Sequence, residues 1–161
     1  MENYDIACAK YYTKLNILAL PLTTWEFRKD YLDEAIYFHK IQANWSVKQD
    51  FLKQSQKEKR EIIITDKHFK IIFASRNFSK INGYPTKDII GKSPRMFQGE
   101  ATSTATRARI KTALNNLKPF KEVILNYRKN GDFYWCEIEA YPMFSKKGEF
   151  LNYIALEKFA A

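Results

Sequence analysis

A carboxylate and a thiol in the C-terminal half are the residues best suited to chemistry. Glu157 alternates with Ala155 and Tyr153 on one face of a predicted strand. If that face is buried, the carboxylate needs a partner or a raised pKa; if the register shifts by one residue, it is a solvent-facing charge. Cys136 lies among apolar strand residues, where a cysteine is more often a small core side chain than a redox sensor.

No arrangement typical of an enzyme or a metal site accompanies them. The sequence contains no Gly-rich phosphate loop, no nucleophile elbow and no cluster of metal ligands. Cys8 and Cys136 are not in a Cys-x-x-Cys spacing, while His39 and His68 fall in a predicted helix and a predicted turn. The sequence therefore predicts a binding or signalling protein with no catalytic residues, no metal and no haem.

Composition limits the partners and the compartment. The 161 residues are 45% hydrophobic, which suits one core with a small helical appendage. Residues 1–60 carry 10 Lys/Arg and 8 Asp/Glu (+2), and residues 61–161 carry 17 and 10 (+7), so the basic excess is not in the helical part. This distribution argues against a DNA-reading helix and indicates no nucleic-acid partner. The apolar residues 17–22 are too few to span a membrane, so we expect a cytoplasmic protein.

Residues 1–60 are predicted to form an N-terminal helical extension, because all five glycines occur after residue 82. The first helix has an apolar stripe of Tyr4, Cys8, Tyr11, Leu15 and Leu18. A capping box of Thr23 and Glu26 starts the next helix. A second box, Ser46 with Gln49, either starts a third helix or lies within one long helix.

Residues 61–161 change to a strand-rich pattern. Predicted strands cover residues 61–65, 69–74, 120–127, 133–144 and 151–159. Predicted helices cover residues 78–82, 87–90, 94–97 and 102–117. The order of these elements predicts an α+β domain with an antiparallel sheet and helices on one face.

The same region resembles a known sensor family. Residues 63–99 read IITDKHFKIIFASRNFSKINGYPTKDIIGKSPRMFQG. This resembles the PAS domains of LOV (light, oxygen or voltage sensing) type, in which ITD, FAS, GY and NCRFLQG follow one another; NYRKNG at 126–131 and FYW at 133–135 extend the resemblance. It implies the PAS fold, with a five-stranded antiparallel sheet and a pocket that holds flavin, haem, a small metabolite or nothing.

One position departs from that pattern in a way that affects photochemistry. Pro94 stands where the family has its light-reactive cysteine. Proline has no nucleophile and no backbone N–H. The resemblance therefore implies a LOV-like domain without cysteinyl-flavin adduct photochemistry.

The resemblance also implies a set of cofactor-binding side chains: Ser93, Arg95, Gln98, Lys111, Asn126, Cys136 and Glu157. Arg95 and Lys111 would contact a phosphate, and the amide of Asn126, like that of Gln98, would bond a flavin ring. Cys136 replaces a family asparagine and is a weak partner, at a cost of roughly 1 to 3 kcal/mol for each buried group left unpaired. The sequence leaves the cofactor open between FMN or FAD, another ligand, and none.

Basic side chains near this region have two interpretations. They are Arg107, Arg109, Lys111, Lys118 and Lys121. The simpler interpretation is a solvated rim, and the alternative is contact with a phosphate-bearing ligand. Glu157, if it faces the pocket, could pair with Arg95 or Lys111, or accept a hydrogen bond from a ligand.

The predicted function is a stand-alone PAS sensory or adaptor protein in signal transduction that senses a small ligand or redox state. Alternatives are a ligand-free PAS dimerisation module and a flavin-binding redox sensor. The chain stops at Ala161, so we expect the N-terminal helices to relay the signal to a separate kinase, chemoreceptor or regulator.

An aromatic helix face is the expected route for that relay. It consists of Phe27, Tyr31, Phe38 and Trp45. We expect this face to cover the sheet or to form a homodimer, burying residues such as Trp135 and Tyr141.

Overall fold

The computed structural model describes the backbone of residues 22–160 and the side chains of residues 32–159. The helix predicted near residues 4–18 and the Thr23–Glu26 capping box lie outside these described parts. The chain divides into two compact units, residues 1–36 and residues 37–161. In the first unit the described residues, 22–36, are helical. All packing reported below lies within the second unit.

The second unit is built around a five-stranded antiparallel sheet, which confirms the predicted fold class. The strands are ordered β2–β1–β5–β4–β3. The elements are α1 (Leu22–Gln42, shared with the first unit), α2 (Phe51–Glu58), β1 (Glu61–Thr65), β2 (Ile71–Ala74), α3 (Phe78–Asn82), α4 (Thr86–Ile89), a 3-10 helix (Pro94–Phe97), α5 (Thr104–Asn115), β3 (Phe120–Tyr127), β4 (Phe133–Phe144) and β5 (Phe150–Ala160). No described helix is long and apolar enough to cross a membrane.

Helix α2 begins later than the sequence predicted. The capping box of Ser46 and Gln49 is wrong, because residues 43–50 are not helical. Asp50 caps the helix instead, since its carboxylate accepts a hydrogen bond from the backbone N–H of Lys53 at 2.9 Å. An aspartate at this position satisfies one of the free N–H groups of the first turn.

Strand β2 is shorter than predicted because the preceding turn is longer. The carboxylate of Asp66 accepts hydrogen bonds from the backbone N–H groups of His68 at 2.8 Å and Lys70 at 2.9 Å. Phe69, predicted as the first strand residue, has a φ of 57°. This left-handed conformation is incompatible with a strand, so β2 starts at Ile71.

The two faces of the sheet pack against different parts of the chain, as the side chains of β1 show. Ile62 and Ile64 belong to a cluster with the aromatic residues that precede the sheet, whereas Ile63 packs against helices α3 and α4. Side chains alternate across a strand, so these clusters lie on opposite faces. We call the first the outer face and the second the inner face.

Aromatic side chains from residues 37–60 cover much of the outer face. Phe38 is fully buried, with its ring centroid 5.5 Å from that of Phe73 and 6.1 Å from that of Trp45. The Trp45 indole donates a hydrogen bond to Asn152 Oδ1 at 2.9 Å. Residues 37–60 were predicted as part of the N-terminal helical extension. They belong to the same compact unit as the sheet.

Tyr141 and Trp135, both expected to be buried on the outer face, differ in how exposed they are. Tyr141 is half-buried, and its ring centroid lies 6.3 Å from that of Phe51. Trp135 remains 49% exposed in the single chain. The side chains of Phe27 and Tyr31 lie outside the described residues, so Phe38 and Trp45 are the members of the predicted face that the structure places on the sheet.

Candidate ligand-binding cavity

The inner face of the sheet and the helices packed on it enclose a cavity of ≈ 360 Å³. Helix α5, the 3-10 helix and the turn before β2 complete its walls. Its apolar lining includes Ile63, Ile124, Ile138, Ala140 and Ala155. Cavities of a few hundred Å³ with apolar walls and a few polar groups are typical ligand sites.

Six of the seven predicted site residues line this single cavity. They are Ser93, Arg95, Gln98, Lys111, Asn126 and Glu157. The seventh, Cys136, is fully buried and is not among the lining residues. The structure thus brings these side chains together, and their part in binding stays a prediction.

Local structure explains how the helical residues reach the cavity. The Ser93 hydroxyl accepts a hydrogen bond from the backbone N–H of Arg95 at 3.4 Å and starts the 3-10 helix that contains Pro94. After this helix the chain passes close to β3 at Gly99, where a Cβ would lie 2.5 Å from the ring of Tyr127. Any larger residue would displace the ring. Gly99 therefore allows the segment after the 3-10 helix to lie close to β3.

Glu157 lies on β5 beside Cys136 rather than beside a cation. It is 4% exposed, and its carboxylate accepts a hydrogen bond from the Cys136 thiol with a sulfur–oxygen distance of 3.2 Å. Of the partners that the sequence left open, neither Arg95 nor Lys111 pairs with Glu157 within the described residues. Strand register determines this arrangement, because Glu157 is paired with Ile138, two residues along β4 from Cys136.

Burial controls the ionisation of this pair. Desolvation raises the pKa of Glu157 to about 7, although the hydrogen bond from Cys136 opposes the rise. Burial, and then the negative charge of Glu157, raise the pKa of the Cys136 thiol. Near neutral pH the thiol is therefore protonated, and the carboxyl group exists in both neutral and ionised forms.

Sequence reasoning missed several polar groups that line the cavity, among them Lys70, Asn115 and Thr65. Thr65 lines the cavity, and its buried hydroxyl oxygen has no hydrogen-bond partner within the described part of the chain. A buried polar group without a partner costs about 1–3 kcal/mol. The alternation of Ile63 and Thr65 on β1 was the signal that could have found it, and a bound ligand could satisfy the hydroxyl.

The five basic residues predicted as a rim have different surroundings, and Lys118 among them is exposed and does not line the cavity. Arg107 and Lys111 line the cavity. Arg109 instead pairs with Glu122 at 2.7 Å, and Lys121 pairs with Glu137 at 3.0 Å. Part of the rim therefore faces the cavity, and part is neutralised elsewhere on the surface.

Comparison with known families decides the class of this fold. A family model described as a PAS domain matches residues 60–158. The chain belongs to the PAS domain family. PAS domains are sensory domains in signal transduction, and the match covers every cavity-lining residue and all but the last two residues of the sheet.

The curated relatives of this PAS domain include LOV proteins. It is 33% identical over 88 residues to Protein TWIN LOV 1 of Arabidopsis thaliana, covering 54% of this chain and 22% of that protein. It is 30% identical over 97 residues to a blue-light-activated histidine kinase of Brucella ovis, covering 58% of this chain and 20% of that protein. The chain thus spans about a fifth of the length of these relatives.

Solved LOV structures share the fold. The dark structure of the blue-light photoreceptor Aureochrome1 LOV is similar with a TM-score of 0.65 and 25% identity, covering 72% of this chain and 86% of that one. The LOV domain of an Erythrobacter litoralis blue-light activated histidine kinase is similar with a TM-score of 0.60 and 23% identity, covering 63% and 96%. The chain is a PAS domain with LOV-domain homologues.

Proposed function

We propose that this PAS domain is a sensor that binds a flavin-class ligand, FMN or FAD, in the inner-face cavity and signals without cysteine addition to the flavin. The observation that carries the proposal is the convergence of amide, carboxyl and cationic side chains on one cavity: Gln98, Asn126, Glu157, Arg95 and Lys111. Similarity to LOV proteins, one of which is described in connection with a flavin analogue, supports the same ligand class.

The residues present fit such a ligand. The amides of Gln98 and Asn126 offer both donors and acceptors to the polar edge of a flat ring, and the unpaired Thr65 hydroxyl offers a further group. Aliphatic side chains supply an apolar floor. Arg95 and Lys111 supply positive charge for a phosphate. A bound flavin would supply blue-light absorption and electron uptake.

Glu157 is the proposed link between the cavity and the outer face. Its carboxyl group can hold or release a proton near neutral pH, because burial raises its pKa to about 7. The neighbouring β5 residue, Leu156, points to the outer face and belongs to the cluster that contains Phe38. A shift of β5 that follows a change at Glu157 would therefore alter the packing of residues 37–60.

Two observations on the described residues support signalling without an adduct. Pro94 lines the cavity at the motif position, whereas Cys136 is not among the lining residues, donates a hydrogen bond to Glu157, and has a thiol pKa raised by burial. A protonated, buried thiol is a poor nucleophile. We therefore propose a non-adduct signal, in agreement with the sequence-based expectation for Pro94.

The output is proposed to pass through protein contacts. We propose that the module has no enzyme activity of its own, works in the cytoplasm, and contacts a separate kinase, chemoreceptor or regulator through the N-terminal helices, as a homodimer. Outer-face packing of Phe38 and Trp45 supports a mechanical connection between those helices and the sheet. A domain boundary near residue 60 for the ligand-binding part remains part of the proposal.

Flavin uptake by the purified chain tests the proposal. After incubation with FMN and gel filtration, we expect the blue absorption bands of flavin to co-elute with the protein. Illumination without an added electron donor should cause no reversible loss of these bands. Asn126→Leu should weaken binding about tenfold or more, since a buried ligand group left without its hydrogen-bond partner costs about 1–3 kcal/mol and 1.4 kcal/mol is tenfold. The exposed turn variant Asn130→Ala is the matched control and should bind normally. A protein that takes up no FMN would contradict the proposal.

A further inference from the structure

Four basic side chains line the cavity, and they come from three separate segments. Lys70 precedes β2, Arg95 lies in the 3-10 helix, and Arg107 and Lys111 lie on α5. The two α5 residues are four positions apart, so they lie on the same helix face about 6 Å apart along its axis. The positive charge of the lining therefore comes from three separate segments, and two of the cations are set apart along α5.

None of these four side chains is neutralised by the protein. In the described part of the chain, none forms an ion pair or donates a side-chain hydrogen bond. The carboxylate among the lining residues, Glu157, is instead bonded by the Cys136 thiol. A cleft lined by charge of one sign attracts ligands of the opposite sign.

The neighbouring Arg109 provides the contrast. Its guanidinium donates two hydrogen bonds of 2.7 Å to the carboxylate of Glu122, and it is not among the cavity-lining residues. Arg107, two residues earlier on the same helix, is half-buried and faces the cavity. One arginine of α5 is thus paired on the surface, and the other is available to a ligand.

We propose that Arg107 and Lys70 form a second anion subsite beside Arg95 and Lys111, so that the cavity takes a ligand with two linked phosphate groups, as in a dinucleotide. The inference rests on the proposed function of this cavity and specifies its ligand. Guanidinium groups bind phosphate oxygens in a bidentate manner. Cations separated along a helix by about 6 Å match consecutive phosphate groups better than a single one.

Affinities for three flavins test the second subsite in the full chain. We expect FAD to bind about tenfold more tightly than FMN, equivalent to about 1.4 kcal/mol, and FMN more tightly than riboflavin, because each added phosphate accepts charge-assisted hydrogen bonds from the basic side chains. Arg107→Ala, and independently Lys70→Ala, should remove the preference for FAD over FMN. The matched control, Arg109→Ala, should keep it. Isothermal titration calorimetry at constant salt measures all four proteins.

The outcomes separate this inference from the proposed function. If FMN binds and the preference for FAD is absent, or survives in Arg107→Ala, the second subsite is wrong and the flavin proposal stands. If no flavin binds, the flavin proposal fails, and titration with inorganic diphosphate and phosphate decides the subsite. Tighter binding of diphosphate that is lost in Arg107→Ala supports it, and equal or absent binding of the two overturns it.

Discussion

Phe38→Ala is expected to lower the free energy of unfolding by about 3–5 kcal/mol, the range typical of truncating a buried phenylalanine. Phe38 is 0% exposed and packs edge-on against the rings of Phe73 and Trp45 at the centre of the outer-face cluster. Removing the ring would leave a cavity that the strands below cannot fill. Urea denaturation followed by circular dichroism measures the loss.

Val47→Ala is the control for this experiment. Val47 is 44% exposed, so its truncation should change the unfolding free energy by less than about 0.5 kcal/mol. Equal losses in the two variants would mean that Phe38 is not part of the core. A loss that disappears when the protein concentration is raised would instead assign Phe38 to a dimer interface.

Glu157→Gln should remove a pH-dependent loss of stability. Burial raises the folded-state pKa of Glu157 to about 7, while the ordinary value, which applies to the unfolded chain, is 4.5. Between these values the folded protein holds a proton that the unfolded chain has released, so stability falls as the pH rises through this window. From pH 5 to pH 8 the wild-type protein should lose about 2–3 kcal/mol through this group. The neutral amide of the variant does not titrate.

The measurement is the difference in unfolding free energy between variant and wild type at the two pH values. We expect this difference to shift in favour of Glu157→Gln by about 2–3 kcal/mol at the higher pH. Glu137→Gln is the control, because the hydrogen bond from Arg60 and then that from Lys121 lower the pKa of Glu137 to about 2. That carboxyl is ionised at both pH values, so its variant should show the same stability change at each. A constant difference for Glu157→Gln would show that the buried carboxyl does not titrate in this range.

The sheet could be predicted from sequence because its signals are local. Alternating apolar residues in β3 and β4 and the Asn130–Gly131 turn between them determine where the chain reverses. The strands observed differ from those predicted by no more than two residues. The start of β2 was misplaced because the Asp66 carboxylate organises a longer turn, and an aspartate in a sequence does not specify which N–H groups it will bind.

The cavity was predicted less completely, because contacts between distant segments decide it. The resemblance located Asn126 and Glu157, but the partner of Glu157 depends on the exact register of β4 against β5. The sequence allowed Glu157 to pair with Arg95 or Lys111, yet its carboxylate accepts a hydrogen bond from the Cys136 thiol. The separation of Arg107 from Arg109 likewise depends on how α5 is rotated against the sheet, which helix periodicity alone does not fix.

Equilibrium binding of FMN to the wild-type protein and to a cavity-filling variant, Ala155→Phe, shows whether the inner-face cavity holds the ligand. Ala155 is a small side chain on the cavity floor, between Tyr153 and Glu157 on the same face of β5. A phenyl ring there would occupy the space of the ligand. We predict that the wild-type protein binds FMN and that the variant, with a native circular dichroism spectrum, has lost at least tenfold in affinity, equivalent to about 1.4 kcal/mol. Unchanged binding by the folded variant would contradict the placement of the ligand in this cavity.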